Sequence, residues 1–400
     1  MSKNLKSNRP QLPRLTYTGP YKKAIDICEF YGVSLIDPPK LEKETEAYTE
    51  KFKGLSDNEA VKEPALSINE RASMIRVYSD EGWDTLSQPV LVMYTKKPNA
   101  RGERFLYLHA IGVTKCIADM LSIHLAWTIL NETVKKNFMI HVNSMGNRDS
   151  STQFISELTS YYRKRINSLP DDSRESFKLN LLNILREPHA ESQLFQEEAP
   201  KSIMYLGDFS RKYFKEVIEF IEARDAPYII DHSLVEHKDA YSETLFAIRE
   251  KNDELKGKVY AIGARSDNLT RGAGMRKTVP IVSTTILIPG STGRESVKKT
   301  VPKKKKPLIY FIQLGDEARL RSFTLLEKLR KAKLPVTVSI GKEKMSAQIA
   351  QADRLRVPIT LIIGQKEAIE NTVILRDMET RSQETVSLDN IIPKIKTLLN

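Results

Sequence analysis

Three short apolar runs, at 307–315, 334–341 and 357–364, each end at a glycine. Helical patterns separate them. Leu320, Phe323, Leu326 and Leu329 recur every third position, which makes one face of a helix, and 345–355 fits a second helix. Strands this short, alternating with helices, bury their apolar faces only as a sheet covered by those helices. The runs 373–377 and 384–388 read as a closing strand pair, and a last helix passes through Ile391 and Leu398. Residues 307–400 are therefore constrained to one compact α/β module.

The rest of the chain reads differently. A helix is expected from Tyr21 to Tyr31, with Ala24, Ile27, Cys28 and Tyr31 on one face and Gly32 ending it. A short strand follows at 33–36. The pattern over 66–77 is mixed. Runs at 89–94 and 105–113 flank a polar loop and predict an antiparallel pair. An apolar helix at 117–130 and a strand at 137–143 come next. Residues 151–225 are mostly helical, and strands resume at 228–230, 243–248, 258–262 and 279–288. Residues 291–306 carry seven Lys/Arg, one Glu and no apolar period, as a linker would. Residues 1–23 hold six Lys/Arg, no acid, and Pro10, Pro13 and Pro20. The expected division is a basic flexible arm at 1–20, a large domain at 21–290, a basic linker at 291–306 and the module at 307–400.

Net charge is +12. The linker supplies half of it, and residues 307–400, with fifteen Lys/Arg against eleven Asp/Glu, supply a further third. A basic surplus placed this way favours a polyanion such as RNA, the plain alternative being a solvated surface. Cys28 and Cys116 have neither metal spacing nor a disulfide framework, and they read as buried thiols suited to a reducing cytoplasm. The six histidines form no metal-ligand motif, so no metal site is expected. Gly272-Ala-Gly274 has the spacing of a turn rather than of a phosphate loop. No apolar run is long enough for a membrane span, so no membrane partner is expected.

Particular residues of the C-terminal module carry a family resemblance. They are Lys342-Glu-Lys-Met-Ser-Ala-Gln-Ile-Ala-Gln-Ala-Asp353, Ile362-Ile-Gly-Gln-Lys-Glu367 and Val373-Ile-Leu-Arg-Asp-Met-Glu-Thr380. In order and spacing the module resembles the anticodon-binding domain of histidyl-type class II aminoacyl-tRNA synthetases. Residues 21–290 resemble that family's catalytic domain through a colinear series of weaker matches. These are Ala24 to Gly32, Leu66 to Arg76 (the family's L-R-P-E-x-T-A-x-x-x-R), Arg101 to Val113 (the second half of motif 2), His141 to Gly146 (I-N-S-L-G), Leu234 to Tyr241 (L-V-R-G-L-D-Y-Y) and Gly263 to Leu269 (G-G-R-Y-D-G-L). The resemblance implies an α+β class II synthetase-like antiparallel sheet domain with a helical insertion, followed by an α/β anticodon-binding-type domain. It also implies tRNA or another RNA as partner. A homodimer is expected through residues 21–40, because the class II fold usually pairs through its first helix and strand.

Amino-acid activation requires a carboxylate for the substrate ammonium and arginines for the triphosphate, with Mg²⁺ at the phosphates. Position by position, those groups are replaced here. The arginine of motif 2, F-R-x-E, falls on Thr95 and its Glu on Lys97; the L-R-P-E carboxylate falls on Asn69, with Glu70 beside it. The L-V-R-G arginine falls on Glu236, a charge reversal, and the end of motif 3 falls on Gly290 with no arginine. If nucleotide binding is retained, Lys96, Arg101 and Arg265 are its expected groups. The expectation is a synthetase paralogue that binds tRNA or a partner protein without charging histidine, and that needs no cofactor. Lys303, Lys304, Lys305, Lys306, Lys342 and Lys344 are its expected RNA contacts. Two alternatives stay open: a diverged, active histidine–tRNA ligase using ATP and Mg²⁺, and a regulatory subunit of a histidine-biosynthetic enzyme.

Overall fold

The computed structural model describes residues 18–52, 63–86, 88–96, 99, 102–187, 190–251, 257–271, 277–290, 307–338 and 344–399. The linker at 291–306, the arm to residue 17, and Lys97, Arg101 and Lys342 lie outside them.

The chain begins with α1 (Gly19–Phe30), β1 (Ser34–Leu35), α2 (Lys43–Thr49) and α3 (Ile68–Asp80). The hairpin β2 (Val90–Thr95) and β3 (Arg104–Ile111) leads to α4 (Ile117–Thr133) and β4 (Phe138–Gly146). A helical insertion follows, with α5 (Arg148–Lys164), α6 (Asp171–Leu179), a 3-10 turn at Leu181–Arg186, α7 (Ala190–Glu198) and α8 (Asp208–Glu222). Strands β5 (Tyr228–Ile230), β6 (Ser242–Glu250), β7 (Val259–Arg265) and β8 (Ile281–Ile288) complete an eight-stranded sheet in the order β1-β2-β3-β8-β7-β6-β4-β5. Its pairings are antiparallel except β1 with β2 and β4 with β5 at the two edges.

Alternation along the strands divides the side chains between two faces. On β3, Leu106, Leu108 and Ala110 join a core with α1, α4 and α8. Tyr107 and Ile111 point the other way, to a second core with α3 and the insertion. Helix α4 is apolar all round because it is enclosed all round, and thirteen of its seventeen residues are buried. Helix α3 gave only a mixed sequence pattern, since its buried face includes Arg71 and Ser73 among Ile68, Ala72, Met74 and Ile75. Ser67 caps it by accepting from the Glu70 amide.

The C-terminal module has β9 (Ile309–Gln313), α9 (Asp316–Lys331), β10 (Val336–Val338), α10 (Met345–Leu355), β11 (Ile359–Ile363), α11 (Gln365–Glu370), β12 (Thr372–Asp377), β13 (Gln383–Ser387) and α12 (Ile391–Leu399). Its sheet order is β10-β9-β11-β12-β13, with the first three strands parallel and the closing pair antiparallel. Phe323 of α9 packs 5.0 Å from both His124 of α4 and Phe220 of α8, so the two sheets share one apolar core through α9.

Candidate functional site

The face of the large sheet under α3 and the insertion collects Asn69, Lys96 and Glu236 of the positions singled out in the sequence. Strands β2 and β3 supply an aromatic floor. Tyr94 stacks on Tyr107 at 4.9 Å and on His109 at 5.5 Å. Nδ1 of His109 lies 2.8 Å from the Ser283 hydroxyl of β8, and its Nε2 is buried without a partner. Burial, reinforced by Arg71, pulls the His109 ring down to about 3, so it is neutral at physiological pH.

Asn69 sits half-buried in the first turn of α3. The next residue, Glu70, takes the polar contacts: one oxygen accepts from the Tyr94 hydroxyl and the other from the Lys96 ammonium. Lys96 also lies 5.7 Å over the Tyr107 ring. Burial raises Tyr94 well above an ordinary phenol, and the Glu70 carboxylate adds to the shift. Thr95 donates to the Phe105 carbonyl at 2.9 Å, a contact within the hairpin. Gly290, just past β8, lies beside Gly102 of the same hairpin.

Glu236 is buried on this side, in the loop before β6. One of its carboxylate oxygens accepts from Nη2 of Arg186 at 2.8 Å, and the same nitrogen donates to the Val235 carbonyl. The other carboxylate oxygen is buried, with no side-chain partner among the described residues. Burial pushes the Glu236 carboxyl upward, while Arg186 and then Arg71 pull it back. Arg71 itself is buried. It donates to the carbonyls of Ser67 at 3.0 Å and Ser283 at 3.3 Å, and it lies 5.3 Å over the Tyr241 ring. Tyr241 in turn donates to the Leu66 carbonyl at 2.8 Å.

Arg265 is placed elsewhere. It points to the opposite face, fully buried, with Nε and Nη2 on Asp119 of α4 at 3.2 and 2.8 Å. Its other bonds go to the carbonyls of Val113 and Lys115 and to Asp267. Every arm of that guanidinium is held by the protein. In the C-terminal module, exposed Lys344 precedes α10 at the end where β9 and β11 finish. The residue that follows the linker, Pro307, is at the other end, where β9 begins.

Thus Asn69, Lys96 and Glu236 come together with Glu70, while Thr95, paired with Leu106 and alternating to the α1 and α4 side of the sheet, and Arg265 do not join them. Arg186, Arg71 and His109 complete the site and were not singled out in the sequence. No local signal marks Arg186, which meets Glu236 across fifty positions of chain. No group of three or more His, Cys, Asp or Glu among the described residues is arranged to hold a metal ion. Glu70 and Glu236 each already accept from a protein cation, so these two carboxylates do not fit a Mg²⁺–nucleotide.

Residues 308–398 match the family model of the anticodon binding domain. The histidine–tRNA ligase of Thermotoga maritima is 30% identical to the chain over 306 residues, covering 74% of the chain and 70% of that protein. The histidine–tRNA ligase of Caldanaerobacter subterraneus subsp. tengcongensis is 26% identical, and the match covers 99% of the chain and 100% of that protein. The crystal structure of apo Staphylococcus aureus histidyl-tRNA synthetase shares the fold at TM-score 0.50 and 19% identity, covering 94% of each chain.

Proposed function

Because the chain belongs to the class II histidyl-tRNA synthetase family, we propose that it binds tRNA through its C-terminal module and does not charge it with histidine. The observation that carries this reading is the Arg186–Glu236 pair. Where the family has an arginine facing substrate, this chain has a carboxylate, and a cation from its own insertion neutralises it. Activation develops negative charge on a phosphate, and catalysis needs free donors aimed at that charge. Here Arg186 is held by Glu236, Arg71 by two carbonyls and Lys96 by Glu70. A triphosphate would have to break those contacts and then meet Glu236 at close range.

One observation favours the rival reading of an active ligase. Glu70 places a carboxylate one position from the expected one, on the correct face. An ATP–pyrophosphate exchange assay with histidine separates the two readings. We expect no exchange above the enzyme-free background, and histidine-dependent exchange would overturn the proposal. Binding of tRNA at low salt is the second requirement, and its absence would remove the RNA half of the reading.

A second copy of the chain is the other proposed partner, through residues 21–40. The apolar residues of α1, including Ala24, Ile27 and Cys28, are spent inside the chain, so Lys22, Lys23 and Asp26 form the outer face. Sedimentation of the purified chain tests this.

A further inference from the structure

The C-terminal sheet has two unlike ends. At one end β9, β10 and β11 begin, α9 and α10 finish, and β12 turns into β13. The backbone ties these segments together: Leu308 donates to Pro335 at 3.1 Å, Ile359 to Leu308 at 3.3 Å and Met378 to Pro358 at 2.9 Å. Five cations are gathered there, namely Lys333, Arg354, Arg356, Arg376 and Arg381.

Pairing sets the four arginines apart from the other arginines of the module. Arg319, Arg321, Lys328, Arg330 and Lys394 of the same module each hold a carboxylate. Among the described residues, none of the five at this end does. Lys333, Arg354, Arg356 and Arg381 are exposed. Arg376 alternates with Ile374 and Met378, so it points to the α10 side, and its Nε is buried without a partner among the described residues. The acids at this end are Asp353, Asp377 and Glu379, and Asp377 is turned inward to accept the amides of Glu379 and Thr380.

Cations near helix ends also offset the helix dipole, which accounts for Arg354 in the last turn of α10. It does not account for Arg381 in the β12–β13 turn or for the absence of pairing. Lys333, Arg356 and Arg381 moreover occupy left-handed corners, φ 60°, 51° and 60°, where glycine is the least costly residue.

We infer that this end of the C-terminal sheet is a phosphate-backbone clamp for RNA, separate from the end that carries Lys344. Four of its five cations are arginine, whose planar fork fits a phosphate in two-point contact. The inference rests on the proposed RNA-binding function and adds where the backbone runs.

The test is a tRNA titration of the full chain over about 50 to 200 mM salt. Three proteins are compared: the parent, R354E/R356E/R381E, and K135E/K164E/K178E, exposed lysines of the large domain outside residues 21–40, as a control with the same change in net charge. All three are first checked for an unchanged melting transition. The clamp variant is expected to bind at least about tenfold more weakly than the parent. Its slope of log affinity against log salt is expected to be shallower by about 2, from three lost contacts at 0.7–0.9 each. The control is expected to stay near the parent. Equal loss in the control, or an unchanged clamp variant, overturns the inference and leaves RNA binding standing. A parent that binds no tRNA at low salt, or that binds anionic vesicles instead, overturns both.

Discussion

Glu243 opens β6 with a left-handed backbone, φ 50°, and a buried side chain. Burial pushes its carboxyl up to about 7, against the pull of the Ser210 hydroxyl, which donates to it at 2.9 Å; nearby Asp119 pushes the same way as burial. The folded pKa is raised, so the stabilising form is the neutral acid. That stability is complete below about 4.5 and is lost as pH rises through 7. Glu243→Gln keeps the acceptor and removes the charge. It should stabilise the chain by about 2–3 kcal/mol at pH 8 and change little at pH 4.5, read from paired melts. At this scale some of the site was legible. The proposed charge reversal at Glu236 rests on the register of the flanking Leu234 and Tyr241. What neutralises it was not legible, because a carboxylate accepts from whichever donor the fold delivers.

The insertion is the element whose role changed most between sequence and structure. In sequence, 151–225 is a helical stretch with charge-rich faces. In space, its 3-10 turn carries Arg186 to Glu236. Removing one partner of a buried pair leaves the other charge stranded, whereas replacing both is often neutral. Arg186→Ala should therefore cost about 2–3 kcal/mol, since Arg186 is a third exposed (34%). The double variant R186A/E236Q should cost distinctly less than the sum of R186A and E236Q, and a denaturant double-mutant cycle reads the difference. A double cost equal to that sum would show that the pair does not couple. The predicted strands were found because alternation and apolar runs are local signals. Helix α3 escaped because buried Arg71 breaks the apolar period that would have announced it.

Across the whole molecule, α9 joins the module to the synthetase fold. Glu327 of α9 accepts from the Tyr31 hydroxyl at 2.5 Å and faces Nε2 of His124 at 3.2 Å, while Arg330 bridges Glu327 and Glu132. Burial pushes the Glu327 carboxyl up, but hydrogen bonds from His124, Arg330 and Tyr31 outweigh it and hold it well below the usual range. Burial likewise pulls His124 down to about 4. Both folded values are depressed, so both contributions are present above the ordinary pKa values. They are lost as pH falls, His124 first, below about 6.5, and Glu327 below about 4.5. Glu327→Gln should loosen the docked α9, giving faster amide exchange in α9 than in the parent at the same pH 7. Unchanged exchange would count against this latch.

The sequence by itself determined the elements and the family. Alternation, glycine-ended runs and colinear motifs are carried by neighbours along the chain, so they survive without a third dimension. It also raised the expectation that family groups are replaced at Thr95 and Glu236. Only the tertiary structure decided which groups meet: Arg186 beside Glu236, Lys96 beside Glu70, Arg265 turned to the far side, and at one end of a sheet five cations with no carboxylate partner among the described residues. The reason is physical. Charges and buried polar atoms are satisfied by proximity in space, and residues brought together from distant positions leave no mark on the local pattern of either segment.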